Sequence, residues 1–96
     1  MKKIEKELEE KCINFARSHG WDCWKNENNG NKGIPDHSLL HPDGRFLLVE
    51  FKASEDSLVR YEQMIWMHRH PYTVRIVWDF KYFCSIIGEL PPTGDE

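Results

Sequence analysis

Gly33-Ile34-Pro35-Asp36-His37-Ser38-Leu39-Leu40-His41-Pro42-Asp43-Gly44-Arg45-Phe46-Leu47-Leu48-Val49-Glu50-Phe51-Lys52 is the stretch on which the reading of the chain turns. Two apolar runs, about 35–41 and 45–52, flank Pro42-Asp43-Gly44. That triplet suits a type I turn closed by a glycine in the left-handed region, a common three-residue hairpin. Such a hairpin sets His41 opposite Arg45 and, further along the ladder, Asp36 opposite Glu50. Directly facing residues of an antiparallel pair have Cβ atoms roughly 4.5–5.5 Å apart. Lys52 stands two residues beyond Glu50 and so on the same face. Register alone predicts two carboxylates and an ammonium group gathered in one place, and a bulge between Asp36 and Glu50 would undo it.

An apolar run such as Phe46-Leu47-Leu48-Val49 has no structural reason to end in two charges on one face. Burying a charge is costly unless it is paired or coordinates a metal. Two carboxylates at this separation repel unless they share a proton or a cation. Magnesium takes oxygen ligands in an octahedral shell and usually keeps several waters beside one or two carboxylates. Asp36 and Glu50 fit that role. Such an ion makes water a better nucleophile and stabilises charge at a phosphorus centre. Lys52 adds a cation to hold a phosphate oxygen or to help deprotonate the attacking water. A plain surface ion pair on an edge strand would account for Glu-x-Lys alone. Gly-Ile-Pro-Asp at matching register favours a site.

Outward from this hairpin, residues 3–19 read as an amphipathic helix, with Ile4, Leu8, Cys12, Phe15 and Ala16 at helical spacing and Gly20 as its stop. Residues 21–25 suit a short strand, Trp21 and Cys23 on one face and Asp22 and Trp24 on the other. Residues 26–33 form a polar, glycine-punctuated loop placed either as a linker or to touch substrate beside the site. A second helix is expected over 57–69, capped by Ser54, Asp56 or Ser57, with Trp66 and Met67 in the core. A strand over 72–78 puts Val74, Ile76 and Trp78 on one face. Asp79 caps a last short helix through Ile87, ended by Gly88. Trp24 and Trp78 suit core or dimer packing better than stacking on bases. His37 should face away from Asp36, and His68 and His70 point different ways, which excludes a shared metal between them.

Ninety-six residues, 40% of them hydrophobic, make one small α/β (α+β) domain with its core over about 4–87 and an acidic tail over 89–96. No run approaches the roughly 20 apolar residues needed to cross a bilayer. The charged, helical start lacks a signal-peptide pattern, so the expected location is cytoplasmic, without membrane. Cys12, Cys23 and Cys84 are widely spaced and read as reduced thiols rather than disulfides or a zinc site. The net charge of −3 is unusual for a nucleic-acid binder. The tail holds three of the acids and no base, so residues 1–88 balance. Lys25, Lys32, Arg45, Arg60, Arg69, Arg75 and Lys81 are then the candidates for a phosphate-facing surface.

Gly33-Ile-Pro-Asp36, Leu48-Val-Glu50-Phe-Lys52-Ala53 and Val59-Arg60-x-x-Gln63-x-x-Trp66 together resemble the virus-type replication-repair nuclease (VRR-NUC) family of the PD-(D/E)XK superfamily. The resemblance covers residues 4 to about 87, and the spacing from Lys52 to Gln63 is one residue longer than the family pattern. It implies a restriction-endonuclease-like αβββαβ core, a mixed sheet flanked by helices. It implies that Asp36, Glu50 and the main-chain carbonyl of Phe51 bind Mg2+ or Mn2+. Lys52 would act on water or phosphate, and Gln63 would orient Lys52 or the substrate. An acid from the first helix would join the metal directly or through water, Glu9 before Glu5. It further implies a DNA endonuclease, a homodimer acting on branched, Holliday-junction-like DNA. The alternatives are a monomeric flap or nicking nuclease and a catalytically silent DNA-binding module.

Overall fold

The hairpin forms as its turn chemistry dictates. A computed structural model of the chain describes residues 3–27 and 33–92. Its elements, in order, are α1 (Lys3–Ser18), β1 (Asp22–Lys25), β2 (His37–Leu40), β3 (Phe46–Phe51), α2 (Tyr61–Arg69), β4 (Val74–Val77) and α3 (Phe80–Ile86). Gly44 sits at φ +99°, the left-handed position that the turn requires. The Gly44 N–H donates to the His41 carbonyl (2.9 Å) and the His41 N–H to the Arg45 carbonyl (2.9 Å). His37 therefore faces Val49 and Leu39 faces Leu47, the register expected from the turn.

The sheet order is β1-β2-β3-β4, antiparallel except for the parallel β3–β4 pair. It is a mixed sheet with helices on both faces. Side chains alternate between those faces along each strand. Leu47, Val49 and Phe51 enter one core with Trp21, Leu39 and Val77, closed by Cys12, Ile13 and Ala16 of α1 and by Phe83 and Ile87 beside them. Fully burying a side chain of the Phe or Leu kind stabilises a fold by about 1.5–3 kcal/mol. Leu48 and Glu50 lie on the other face, in register with Val74 and Ile76, where α2 packs.

Several boundaries differ from expectation. The second helix begins at Tyr61, four residues late, and none of Ser54, Asp56 and Ser57 caps it. The two serines close a turn of their own: the Ser57 N–H donates to the Ser54 carbonyl (3.1 Å) and the Ser54 N–H to Ser57 Oγ (3.1 Å). α2 starts where Gln63 Oε1 accepts the Arg60 N–H (3.2 Å). Trp66 and Met67 are only half-buried, because α2 covers the sheet thinly and buries Gln63 instead. In β4 both faces are buried, so Val77 is enclosed while Trp78, past the strand end, is exposed. Trp24 on the edge strand is exposed as well, so neither tryptophan belongs to the core. Cys12 and Cys84 are buried and Cys23 partly so, and no disulfide joins them. Burial pushes the Cys12 thiol far above its ordinary pKa. The central part of the 26–33 loop and the end of the acidic tail lie outside the described residues, as does Lys32. Among the described residues, no helix is long and apolar enough to cross a membrane.

Candidate active site

Pro35 has no N–H to give, and the Asp36 N–H leaves the ladder. It donates instead to Glu50 Oε1 (3.0 Å), so β2 begins only at His37 while Asp36 stays in register with Glu50. The main chain at this corner is held by Asn26. Its N–H donates to the Asp36 carbonyl, its Nδ2 to the Pro35 carbonyl (2.9 Å), and its Oδ1 accepts from Ser38 Oγ (2.8 Å). Sequence reasoning missed this clamp, placing Asn26 in a loop. Continuing the β1–β2 register one step past Lys25 is the signal that would have found it.

Glu50 is 6% exposed. Its Oε2 lies 3.7 Å from Lys52 Nζ, itself largely enclosed. Burial raises the Glu50 pKa above its ordinary value, and the Asp36 charge raises it further. The Asp36 N–H, Lys52 and Gln63 pull the other way without cancelling the shift. Gln63, 2% exposed, sits near enough to favour the charged carboxylate. Among the described residues its Nε2 has no well-aligned hydrogen-bond acceptor. A buried amide donor left unpartnered costs about 1–3 kcal/mol, so its retention asks for a partner in the working state.

Gly33 joins the acid-bearing corner to α2. It holds φ +85°, and a Cβ there would collide with the main chain of Glu62, the residue before Gln63. Only glycine permits this approach. The turn leading to Asp36 and the helix carrying Gln63 are thus pressed together, main chain to side chain position. The Phe51 side chain faces the opposite way, against His37 and Phe83, leaving its carbonyl in the chain between Glu50 and Lys52.

Glu9 does not join this group. Its Oε1 lies 3.0 Å from His37 Nε2, on the face of β2 opposite Ser38. Glu5 is partly buried on the same helix. Where the resemblance implies a first-helix acid beside the metal, α1 sets Glu9 against buried His37, the residue next to Asp36 in the chain. Burial lowers the His37 pKa, with Glu9 and Asp36 opposing that shift. His37 does face away from the site, as expected. Among the described residues no three His, Cys, Asp or Glu side chains gather as a metal-binding group. The expected basic surface is reduced too. Arg45 lies at the far turn, bound to Asp43 (2.8 Å) and the Ile87 carbonyl (2.8 Å) and lying over Trp21. Lys25, paired in register with His37, shares the face of that histidine, and Arg60 stands at the start of α2.

A search of solved structures matches the fold to a chain described as "VRR_NUC domain", with a TM-score of 0.78 and 23% sequence identity. The match covers 88% of this chain and 94% of that one. The fold is that of a VRR_NUC domain. No family model matches the chain, and no curated protein does.

Proposed function

We propose that this chain is a metal-dependent endonuclease that hydrolyses phosphodiester bonds in DNA, acting on branched or junction structures as a homodimer. The observation that carries it is the Asp36–Glu50 pair, built by register at the end of a buried strand with Lys52 alongside. A buried carboxylate whose pKa is raised by burial and by a second carboxylate is a site short of positive charge. The donors are hard oxygens, and a set of two carboxylates matches magnesium or manganese, which keep several waters in the shell, better than calcium's fuller cage. Asp36, Glu50 and the Phe51 carbonyl would hold the ion. When bound, it supplies positive charge to the phosphate oxygens and acidifies water.

The chain's own residues do the rest. Lys52, already drawn toward Glu50, holds a phosphate oxygen or takes part in deprotonating the attacking water. Gln63 offers its Nε2 hydrogens to the substrate or to the Glu50 carboxylate. Asn26 fixes the main chain on either side of Asp36. Glu9 acts only through His37 and the strand behind the site, as a positioning residue. Dimerisation is supported by the side chains that α2 and its approach leave in solvent: Leu58, Tyr61, Met64 and Ile65. A second copy would add the footprint and the second cut that junction cleavage needs.

One assay tests the reading. Labelled four-way junction, flap and linear duplex are incubated with magnesium, manganese or EDTA, and the protein is sized in parallel. Junction cutting by a dimer is expected. Flap preference by a monomer would replace the substrate assignment, and binding without cutting in either metal would overturn the enzyme reading.

A further inference from the structure

The parallel ladder between β3 and β4 continues one step past both strands. Phe51 faces Val77, and the Lys52 N–H donates to the Val77 carbonyl (2.9 Å). The next residues in register are Lys52 and Trp78, on strands about 4.8 Å apart. Alternation carries Trp78 to the side of the sheet that bears Glu50 and Ile76. The chain then turns into α3, where Asp79 Oδ1 accepts the Tyr82 N–H (2.9 Å). That cap brings Tyr82 back onto Trp78, their ring centroids 6.2 Å apart and their planes 18° from parallel. This is an offset stack. Trp78 is 41% and Tyr82 38% exposed, so the core does not account for the pair. β4 is the last strand of the sheet, which leaves the rings on an open rim. Lys81, exposed, lies between them in sequence, while Asp79 is committed to its cap.

We propose that the Trp78–Tyr82 stack receives an unpaired base of the DNA strand held at Lys52, and so selects DNA with unpaired nucleotides at the point of cleavage. The proposal rests on the nuclease reading above and names the substrate class of that same site. Aromatic steps beside cationic groups bind single strands because every base offers a π-face, whatever its sequence. A base inside a continuous duplex is already stacked and reaches such a step only by leaving its neighbours. Nucleotides at a branch point, flap or gap are free to use it.

The test measures binding apart from cleavage. Labelled oligothymidylate is titrated in EDTA against wild type, Trp78→Ala, Tyr82→Ala, Trp78→Phe and Tyr82→Phe, with circular dichroism to confirm that each folds. Each alanine variant should bind about tenfold weaker or worse, the scale of one lost base stack. The phenylalanine variants keep a ring and should stay within about threefold of wild type. In magnesium, Trp78→Ala should raise KM for a flapped substrate and leave kcat at saturation nearly unchanged. Unaltered affinity in both alanine variants overturns the proposal, as do phenylalanine variants that bind as poorly as alanine. Loss of self-association with oligonucleotide binding intact would give this rim to a second copy, and overturn it too. Ring-dependent binding without cutting in either metal upholds the stacking site while removing the nuclease reading.

Discussion

The two faces of β3 are built from one six-residue strand and are covered very differently. Leu47, Val49 and Phe51 look into a layer closed by α1 and by Phe83 and Ile87. Leu48 and Glu50 look toward α2, a nine-residue helix whose one buried residue is an amide. The first face is mainly apolar, with the buried His37–Glu9 pair at its border. The second carries a buried carboxylate with a raised pKa and a buried amide whose nitrogen, among the described residues, has no well-aligned acceptor. Stability in so small a domain is a few kcal/mol. Concentrating apolar burial on one side leaves the other free to hold polar groups at a cost.

That contrast is broken most sharply by removing the charges. Asp36→Ala, Glu50→Ala and Lys52→Ala should each lower cleavage at least about a thousandfold, equivalent to about 4 kcal/mol of barrier, while circular dichroism stays native. A Lys52→Ala variant that cuts at the wild-type rate would exclude the role given to that lysine. Next in size is a cavity on the apolar side. Phe83→Ala, at a wholly buried position, should cost about 3–5 kcal/mol in denaturant unfolding. Met64→Ala on the exposed side of α2, where the residue is 56% exposed, should change stability by less than about 0.5 kcal/mol. Equal losses at the two positions would deny the asymmetry.

A smaller effect is expected at the clamp. Asn26→Ala removes the two side-chain hydrogen bonds, to the Pro35 carbonyl and from Ser38 Oγ, and keeps the main-chain one to the Asp36 carbonyl. It should cost about 1–3 kcal/mol of stability and lower cleavage without changing metal preference. The least effect, and the one with a pH signature, concerns Glu50 in EDTA. Its folded pKa lies above the unfolded value, so the folded protein is relatively favoured below the unfolded pKa and loses that advantage as pH rises through the folded one. Glu50→Gln should therefore melt higher than wild type at pH 8, with the gain shrinking as pH falls toward the ordinary glutamate range. A gain that grows toward acid pH would show that the carboxylate is stabilised in its charged form.

Much of this corner was legible in the sequence because local chemistry fixes it. Pro42-Asp43-Gly44 selects one hairpin, the hairpin selects one register, and the register pairs Asp36 with Glu50. Lys52 follows from the two-residue period of a strand. The unread parts depend on contacts distant along the chain. Whether Glu9 meets Asp36 or His37 is set by how α1 is rotated against the sheet, which its own periodicity leaves open among flanking positions. The start of α2 was misplaced because Ser54 and Ser57 satisfy each other rather than a helix end. Trp78 was misread because alternation gives the side of a strand and not where the strand stops. Gln63 was found by resemblance, yet its burial without a well-aligned acceptor at Nε2 among the described residues is visible only in three dimensions.

The approach of Gly33 to Glu62 has a further consequence. With no side chain between them to act as a cushion, a displacement of α2 along the sheet is transmitted to the acid-bearing corner with little slack. A single point of main-chain approach thus ties the element that carries Gln63 to the one that carries Asp36.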